Sequence, residues 1–324
     1  MASCGYPVYG WRDGDLYLMT RHKLIIPLAL LFTGFALADS SVYVISAGMT
    51  GDGVFGTVNL ATGAYTPIGP TEPYGYFGMA TGPNGALYSL NYVGQLDRID
   101  PGTGAYKRVG ATGLQPCLVP SPACGPTSVF GLGSIGGKLF ATDFANSVYS
   151  VNPATGAATL LAKNSGLPAA PFIPGIQNPD GTFDLADEAI WAAGGKLYAT
   201  YDAFVYDFGT SSVVKVSVAP ELYSIDPTTG LATVIGPTDL GIGGATDVNG
   251  ISYAFNDPTA QIETINLLTG KATPVGNFDP AAEVLQGAAP IVPEPSSLAL
   301  AGLGYLALCL LIRRSRFNVP SVHR

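Results

Sequence analysis

"LYSIDPTTGLATVIG", from Leu222 to Gly236, decides the fold. An alternating strand runs into Asp226, Thr229 and Gly230 follow, and a second strand ends at Gly236. An Asp or Asn side chain bonds backbone amides two residues on, and glycine accepts a positive φ. Asx-x-x-Thr-Gly therefore reads as a hairpin turn with a physical mechanism. The same pattern recurs as "VFGTVNLATGAYTPIG" from Val54, "LDRIDPGTGAYKRVG" from Leu96, "VYSVNPATGAATLLA" from Val148 and "IETINLLTGKATPVG" from Ile262. The turn glycines are Gly63, Gly104, Gly156, Gly230 and Gly270, separated by 41, 52, 74 and 40 residues.

A further strand precedes each unit: "VYVIS", "ALYSL", "KLFAT", "KLYAT" and "ISYAF". Often there is one more before it, as in "GMATGPNGALYSL", where Pro-Asn-Gly makes the turn. Four strands per unit and a period near 40 residues are the signature of β-propeller blades. The sequence thus predicts an all-β propeller of five four-stranded blades over residues 39–290, with six blades as the alternative. The two long gaps read as insertions. The first holds "LQPCLVPSPACGP" and the second "GLPAAPFIPGIQNPDG" with an extended hairpin, where a degenerate sixth blade would have to hide. The first unit lacks its leading strand, and "AAEVLQGAAPIV" near the end can supply it. Such a strand would close the ring and remove its open edge. The repeat resembles secreted bacterial propellers with "LYxIDPxTG" units, a likeness of architecture that implies no single activity.

Composition agrees. Of 324 residues, 42 are Gly, 26 are Pro and only 12% are charged, which favours many short strands joined by tight turns. Between Asp39 and Val292 there are 8 Lys or Arg against 20 Asp or Glu, a net of −12. A surface of that sign repels phosphate backbones and argues against nucleic-acid binding. Both histidines, His22 and His323, lie outside the repeat region. A Ser-His-Asp triad, a Cys-His pair or a histidine-ligated metal cannot be assembled within it.

Both ends carry targeting signals. In "MTRHKLIIPLALLFTGFALADSS", Arg21 and Lys23 precede an apolar run from Leu24 to Phe35. Ala36-Leu37-Ala38 then makes a small-x-small site, so residues 19–38 read as a secretory signal peptide cleaved before Asp39. Residues 1–18 are expected to be a non-native or mis-started extension, which leaves Cys4 outside the mature protein. At the other end Leu298 to Ile312 are apolar or small, followed by Arg313, Arg314 and Arg316. As a helix, residues 298–312 span roughly 22 Å, slightly short of a hydrocarbon core without help from the flanks. The positive-inside rule keeps the arginines cytoplasmic and the body on the outer side of the inner membrane.

Pro293-Glu294-Pro295, an apolar helix and an arginine cluster, in that order, resemble the PEP-CTERM sorting signal of Gram-negative bacteria. The likeness covers residues 291–316, and "FNVPSVHR" (317–324) trails behind it, a departure from signals that end soon after their arginines. The resemblance implies an exosortase, an integral membrane cysteine protease-like enzyme, as processing partner. It also implies transit through the inner membrane and delivery to the cell surface or extracellular matrix, commonly in makers of exopolysaccharide. The signal peptide adds the Sec machinery and signal peptidase as partners.

Candidate sites are few. Cys117 and Cys124, the two cysteines of the body, reach an oxidising compartment and are expected to form a disulfide across the proline-rich loop. No histidine or second cysteine pair assists a metal there, and Cys309 reads as a small apolar residue of the tail. The segment "FDLADEAIW" gathers Asp184, Asp187 and Glu188. These carboxylates suit glycoside hydrolysis or calcium as a bound cofactor; the plainer reading is turn chemistry and solvated charge. Five-bladed propellers include glycosidases with three funnel carboxylates, an analogy of fold alone. Asp100, Asn152 and Asp226 read as turn residues first. Tyr74, Tyr76 and Phe77 could stack a sugar at a blade edge or pack a core. The expectation is an exported, non-catalytic propeller that binds glycan or protein through its loops, with an extracellular carbohydrate-active hydrolase as the alternative.

Overall fold

The computed structural model describes residues 41–47, 53–72, 76–115, 129–172, 177–210, 212–279, 284–291 and 304–305. The first repeat supplies β1 (Ser41–Ala47), β2 (Gly53–Asn59) and β3 (Tyr65–Glu72). The second is β4 (Tyr76–Thr81), β5 (Leu87–Asn91), β6 (Gln95–Ile99) and β7 (Tyr106–Ala111). The third is β8 (Val129–Ile135), β9 (Lys138–Asp143), β10 (Val148–Val151) and β11 (Ala158–Ala162). The fourth is longer: β12 (Phe183–Ala193), β13 (Lys196–Asp207), β14 (Ser212–Ile225) and β15 (Ala232–Pro237). The fifth is β16 (Ile242–Val248), β17 (Ile251–Asn256), β18 (Gln261–Ile265) and β19 (Ala272–Asn277), and β20 (Val284–Pro290) comes last.

These strands form five four-stranded antiparallel sheets. Four sheets run in chain order. The remaining one has the order β20-β1-β2-β3, so the last strand becomes the inner strand of the first blade. Val42 pairs with Pro290 and Ala47 with Val284. This is the closure anticipated from "AAEVLQGAAPIV", and the blade number is five. The 74-residue spacing is filled by the long β12–β14 ribbon and the segment before it, with no sixth sheet among the described residues.

The turn of each repeat follows its chemistry. Asp226 Oδ1 accepts the Thr228 amide at 2.7 Å and the Thr229 amide at 3.3 Å, and Gly230 N donates to Asp226 O at 2.8 Å. Asn59, Asp100, Asn152 and Asn266 do the same with their following amides. All five turn glycines have positive φ, from 68° at Gly104 to 82° at Gly270. Sequence patterning did not foresee a second constraint: the turns pack against neighbouring blades. A Cβ on Gly156 would sit 2.6 Å from the carbonyl oxygen of Gly110, on the outer strand of the preceding blade.

Five apolar clusters stand where an ordinary domain has one core, each at a junction between blades. Phe140 and Val148 of the third blade meet Leu197 and Ile225 of the fourth, and Trp191 of the fourth meets Ala254 of the fifth. The first blade packs on the fifth through Val44 and Phe255, and on the second through Phe55 and Leu87. The second meets the third through Leu90 and Leu139. A strand between two neighbouring blades is covered on both faces, so all of β5 is buried, whereas outermost β19 exposes all but its first residue. Tyr76 belongs to this packing: it is buried and stacks on Tyr106 with centroids 4.6 Å apart. It is not part of a surface platform.

The signal peptide with Ala36, Ala38 and Asp39, the Cys117–Cys124 loop, and the tail with Pro293, Glu294, Pro295, Arg313, Arg314 and Arg316 lie outside the described residues. Among the described residues no helix is long and apolar enough to cross a membrane.

Candidate functional site

Antiparallel alternation sorts the connections between two ends of the ring. Turns from the second to the third strand, and links from an outer strand to the next inner one, gather where the inner strands begin. The described parts of these links, residues 112–115, 163–172 and 177–182, and the far ends of β13 and β14 belong to that end. The Asx-Thr-Gly turns gather at the other end, where β20 finishes and β1 starts. The described flanks of these links thus share one face, and β20 ends on the opposite one.

At the end where the inner strands begin, the mouth of the ring is acidic. Asp187 on β12 lies directly across from Asp202 on β13, a like-charge cross-strand pair of a kind that destabilises a sheet. Asp257, which follows β17 in the next blade, is the third member. Gly241 links them: its amide donates to Asp202 Oδ2 at 2.6 Å, and a Cβ there would approach Asp187 Oδ2 to 3.6 Å. Asp257 Oδ1 accepts the Leu285 amide at 2.9 Å, from the closing strand. Asp202 Oδ1 and Asp257 Oδ2 are buried with no hydrogen-bond partner.

Burial pushes the Asp187 carboxyl up to about 6. It also holds Asp202 and Asp257 well above the usual carboxylate range, and the charge of Asp187 raises both further. Backbone amides oppose the shift, those of Gly241 and Asp187 at Asp202 and that of Leu285 at Asp257. Tyr92, after β5, donates to Gln286 Oε1 at 3.0 Å; burial chiefly raises its hydroxyl, with a contribution from Asp187. No lysine or arginine contributes to the field at the three carboxylates among the described residues.

Glu188 lies next to Asp187 but projects from the other side of β12, since successive side chains of a strand alternate. It is buried in the throat, where Oε2 accepts from Thr142 Oγ1 at 2.5 Å and Oε1 has no partner. Burial pushes its carboxyl up to about 8, the Thr142 hydrogen bond opposes this, and the charge of Asp143 reinforces it. Gly131 makes the space, because a Cβ there would lie 3.0 Å from Glu188 Oε2. Asp184 stands apart, accepting from Asn178 Nδ2 at 3.1 Å, about 10 Å of strand from Asp187. The three acids singled out in "FDLADEAIW" therefore face three surroundings. Asp187 finds its partners on other strands.

The ring is narrow. A Cβ on Gly78 would lie 2.8 Å from the Leu132 backbone nitrogen, and one on Gly287 would lie 2.7 Å from that of Met79. The cavity in the throat, lined by Glu188 and Gly243, holds about 10 Å³. The cavity at the opposite mouth, lined by Thr81, Ser134, Trp191 and Asp247, holds about 90 Å³. Pockets that enclose a small molecule run to roughly 300 Å³ or more, so neither takes a sugar ring. Among the described residues no three acidic, histidine or cysteine side chains are grouped closely enough to hold a metal ion.

Residues 292–316 match the family described as the PEP-CTERM protein-sorting motif. No curated protein sequence matches the chain. Among solved structures, a chain of a nidogen/laminin complex is similar at 12% identity and a TM-score of 0.43, over 77% of this chain and 97% of its own. A PQQ-bound aldose sugar dehydrogenase from Streptomyces coelicolor is similar at 14% and 0.39, over 66% and 84%. A Bacteroides thetaiotaomicron protein of unknown function is similar at 15% and 0.42, over 75% and 61%. Likeness at this level carries no functional argument. The chain carries a PEP-CTERM sorting motif, which implies export and exosortase processing, behind a five-bladed β-propeller closed by its own last strand.

Proposed function

We propose that this protein is a non-catalytic binding propeller of the cell surface or extracellular matrix, with a glycan or another protein as its ligand. The carrying observation is the order of parts. β20 completes the ring at Pro290, and the sorting motif begins at Val292. The fold is finished before the address starts, so removal of the tail leaves every blade intact. The Sec machinery and signal peptidase deliver the chain, the inner membrane holds it in transit, and an exosortase releases it. Because β20 ends on the face opposite Asp187, Asp202 and Asp257, an anchored molecule turns its acidic face away from the membrane.

Replacing Pro293, Glu294 and Pro295 together by alanine tests the sorting step. Fractionation should find the parent protein outside the cell and the variant retained in the membrane. Equal distribution of the two would overturn the reading.

A second reading, a carbohydrate-active hydrolase, is favoured by the convergence of Asp187, Asp202 and Asp257, since acids with raised pKa suit proton donation. The small cavities weigh against it. Release of reducing sugar from host exopolysaccharide, abolished by Asp187→Asn, would reverse the preference.

A further inference from the structure

We propose that the side of the ring where β20 finishes docks on an anionic phospholipid surface while the tail holds the molecule in the membrane; this deepens the reading above and rests on it. Charge is divided between the two sides. Five basic residues stand within one residue of a strand end on the exit side: Arg98, Lys107, Lys138, Lys196 and Lys271. All five are exposed. Among the described residues the acids placed there by the same measure are Asp100, Asp226 and Asp247. Asp100 and Asp226 hold their own turns through Oδ1, and Asp247 Oδ1 accepts the Gly250 amide at 3.0 Å. The opposite side sets Lys163 against Asp143, Asp184, Asp207 and Asp257. Arg98 lies directly across from Lys107 on β6 and β7, a like-charge pair that weakens a sheet. It mirrors, in the other sign, the Asp187–Asp202 pair of the acidic mouth.

Apolar side chains stand among these bases. Leu268, in the turn of the fifth blade, is 89% exposed, Leu231 is 53% and Ile251, at the start of β17, is 48%. The turn does not call for Leu268. Its Asx, Thr and Gly satisfy the backbone, and the equivalent positions of the other turns are Ala61, Gly102, Ala154 and Thr228. Leucine beside Lys271 suits a lipid interface, where an apolar tip enters the headgroup layer and the ammonium stays among phosphates. A polyanionic glycan would use the bases but has no place for the leucines. The chain outside the ring points the same way. Eight residue steps lead from Pro290 to Leu298, where the apolar run begins, so this side is tethered within roughly 29 Å of that run. A tether that short gives even a weak surface contact a high effective concentration.

Hydrogen exchange of the full-length protein, held by its tail in lipid nanodiscs, tests this with phosphatidylglycerol discs against phosphatidylcholine discs. Amides of residues 266–271 and 135–138 should exchange about fivefold or more slowly on phosphatidylglycerol. Salt at about 0.5 M should cancel the difference, and residues 202–207 on the acidic side should not change. The variant combining Lys138→Glu, Lys196→Glu and Lys271→Glu should exchange at the phosphatidylcholine rate, and Leu268→Ser should give an intermediate rate. These four side chains are exposed, so the fold tolerates the changes, and an unaltered unfolding midpoint checks it. Equal rates on the two lipids, slowing that survives the triple variant, or slowing on both sides of the ring would overturn the proposal. So would stronger slowing by dextran sulfate in phosphatidylcholine discs, which would assign the surface to a glycan. Retention of the protein in either disc reads the tail alone, so failure of docking and failure of the anchoring reading are distinguishable.

Discussion

Asp187 and Asp202 face each other across β12 and β13, where any opposite or neutral pair would hold the sheet better. Burial raises their carboxyls and that of Asp257, with Glu188 at about 8 and Glu263 at about 7. The sign of the linkage follows. Between the unfolded carboxylate pKa, near 4, and these raised values, the native state binds more protons than the unfolded chain, so stability falls as pH rises. The unfolding midpoint should therefore be higher at pH 5 than at pH 8 when no ligand is added; a flat or opposite profile would contradict the charged-mouth account. Asp202→Asn should stabilise at pH 8 by about 1 kcal/mol or more and by less at pH 5, as measured by denaturant unfolding at both values. Asp187 was legible as an acid near an insertion, but its partners were not. Asp202 hides in "YATYD" and Asp257 in "AFND", and only the ring brings those strand ends together.

The strands and turns were largely written in the local chemistry, because each Asx-x-x-Thr-Gly unit satisfies its own amides before any tertiary contact forms. The inner strands were harder to read. "FGMAT", "FGLGS" and "IGGAT" are rich in glycine for a reason that lies in neighbouring blades, where backbone atoms or the Ile190 side chain approach too closely for a Cβ. Gly156→Ala combines a φ of +81° with a 2.6 Å approach to the Gly110 carbonyl. It should cost about 2 kcal/mol or more in denaturant unfolding. The closing strand carries the larger weight. A chain ending at residue 282 lacks β20, exposes the edges of β1 and the inner strands, and should aggregate on size-exclusion chromatography. A chain ending at residue 291 keeps every sheet and should elute as a folded species. Equal behaviour of the two would deny β20 its closing role.

The whole molecule is a ring with two unlike ends. One end bears the starts of the inner strands and the uncompensated acids; the other bears the repeat turns and the start and finish of the ring. Sequence reading reached the ring, its closure and the address, since repeats and targeting signals are local patterns. Assigning the acids to one face required the topology, because that arrangement depends on which strand ends meet. The central claim, a finished propeller followed by a removable address, is tested most directly at the mature C-terminus. Mass spectrometry of the exported protein should find a last peptide that stops at or near Pro293-Glu294-Pro295, with residues 298–316 gone. An intact tail through Arg316 on the exported protein would contradict the account and leave residues 298–312 as a permanent anchor.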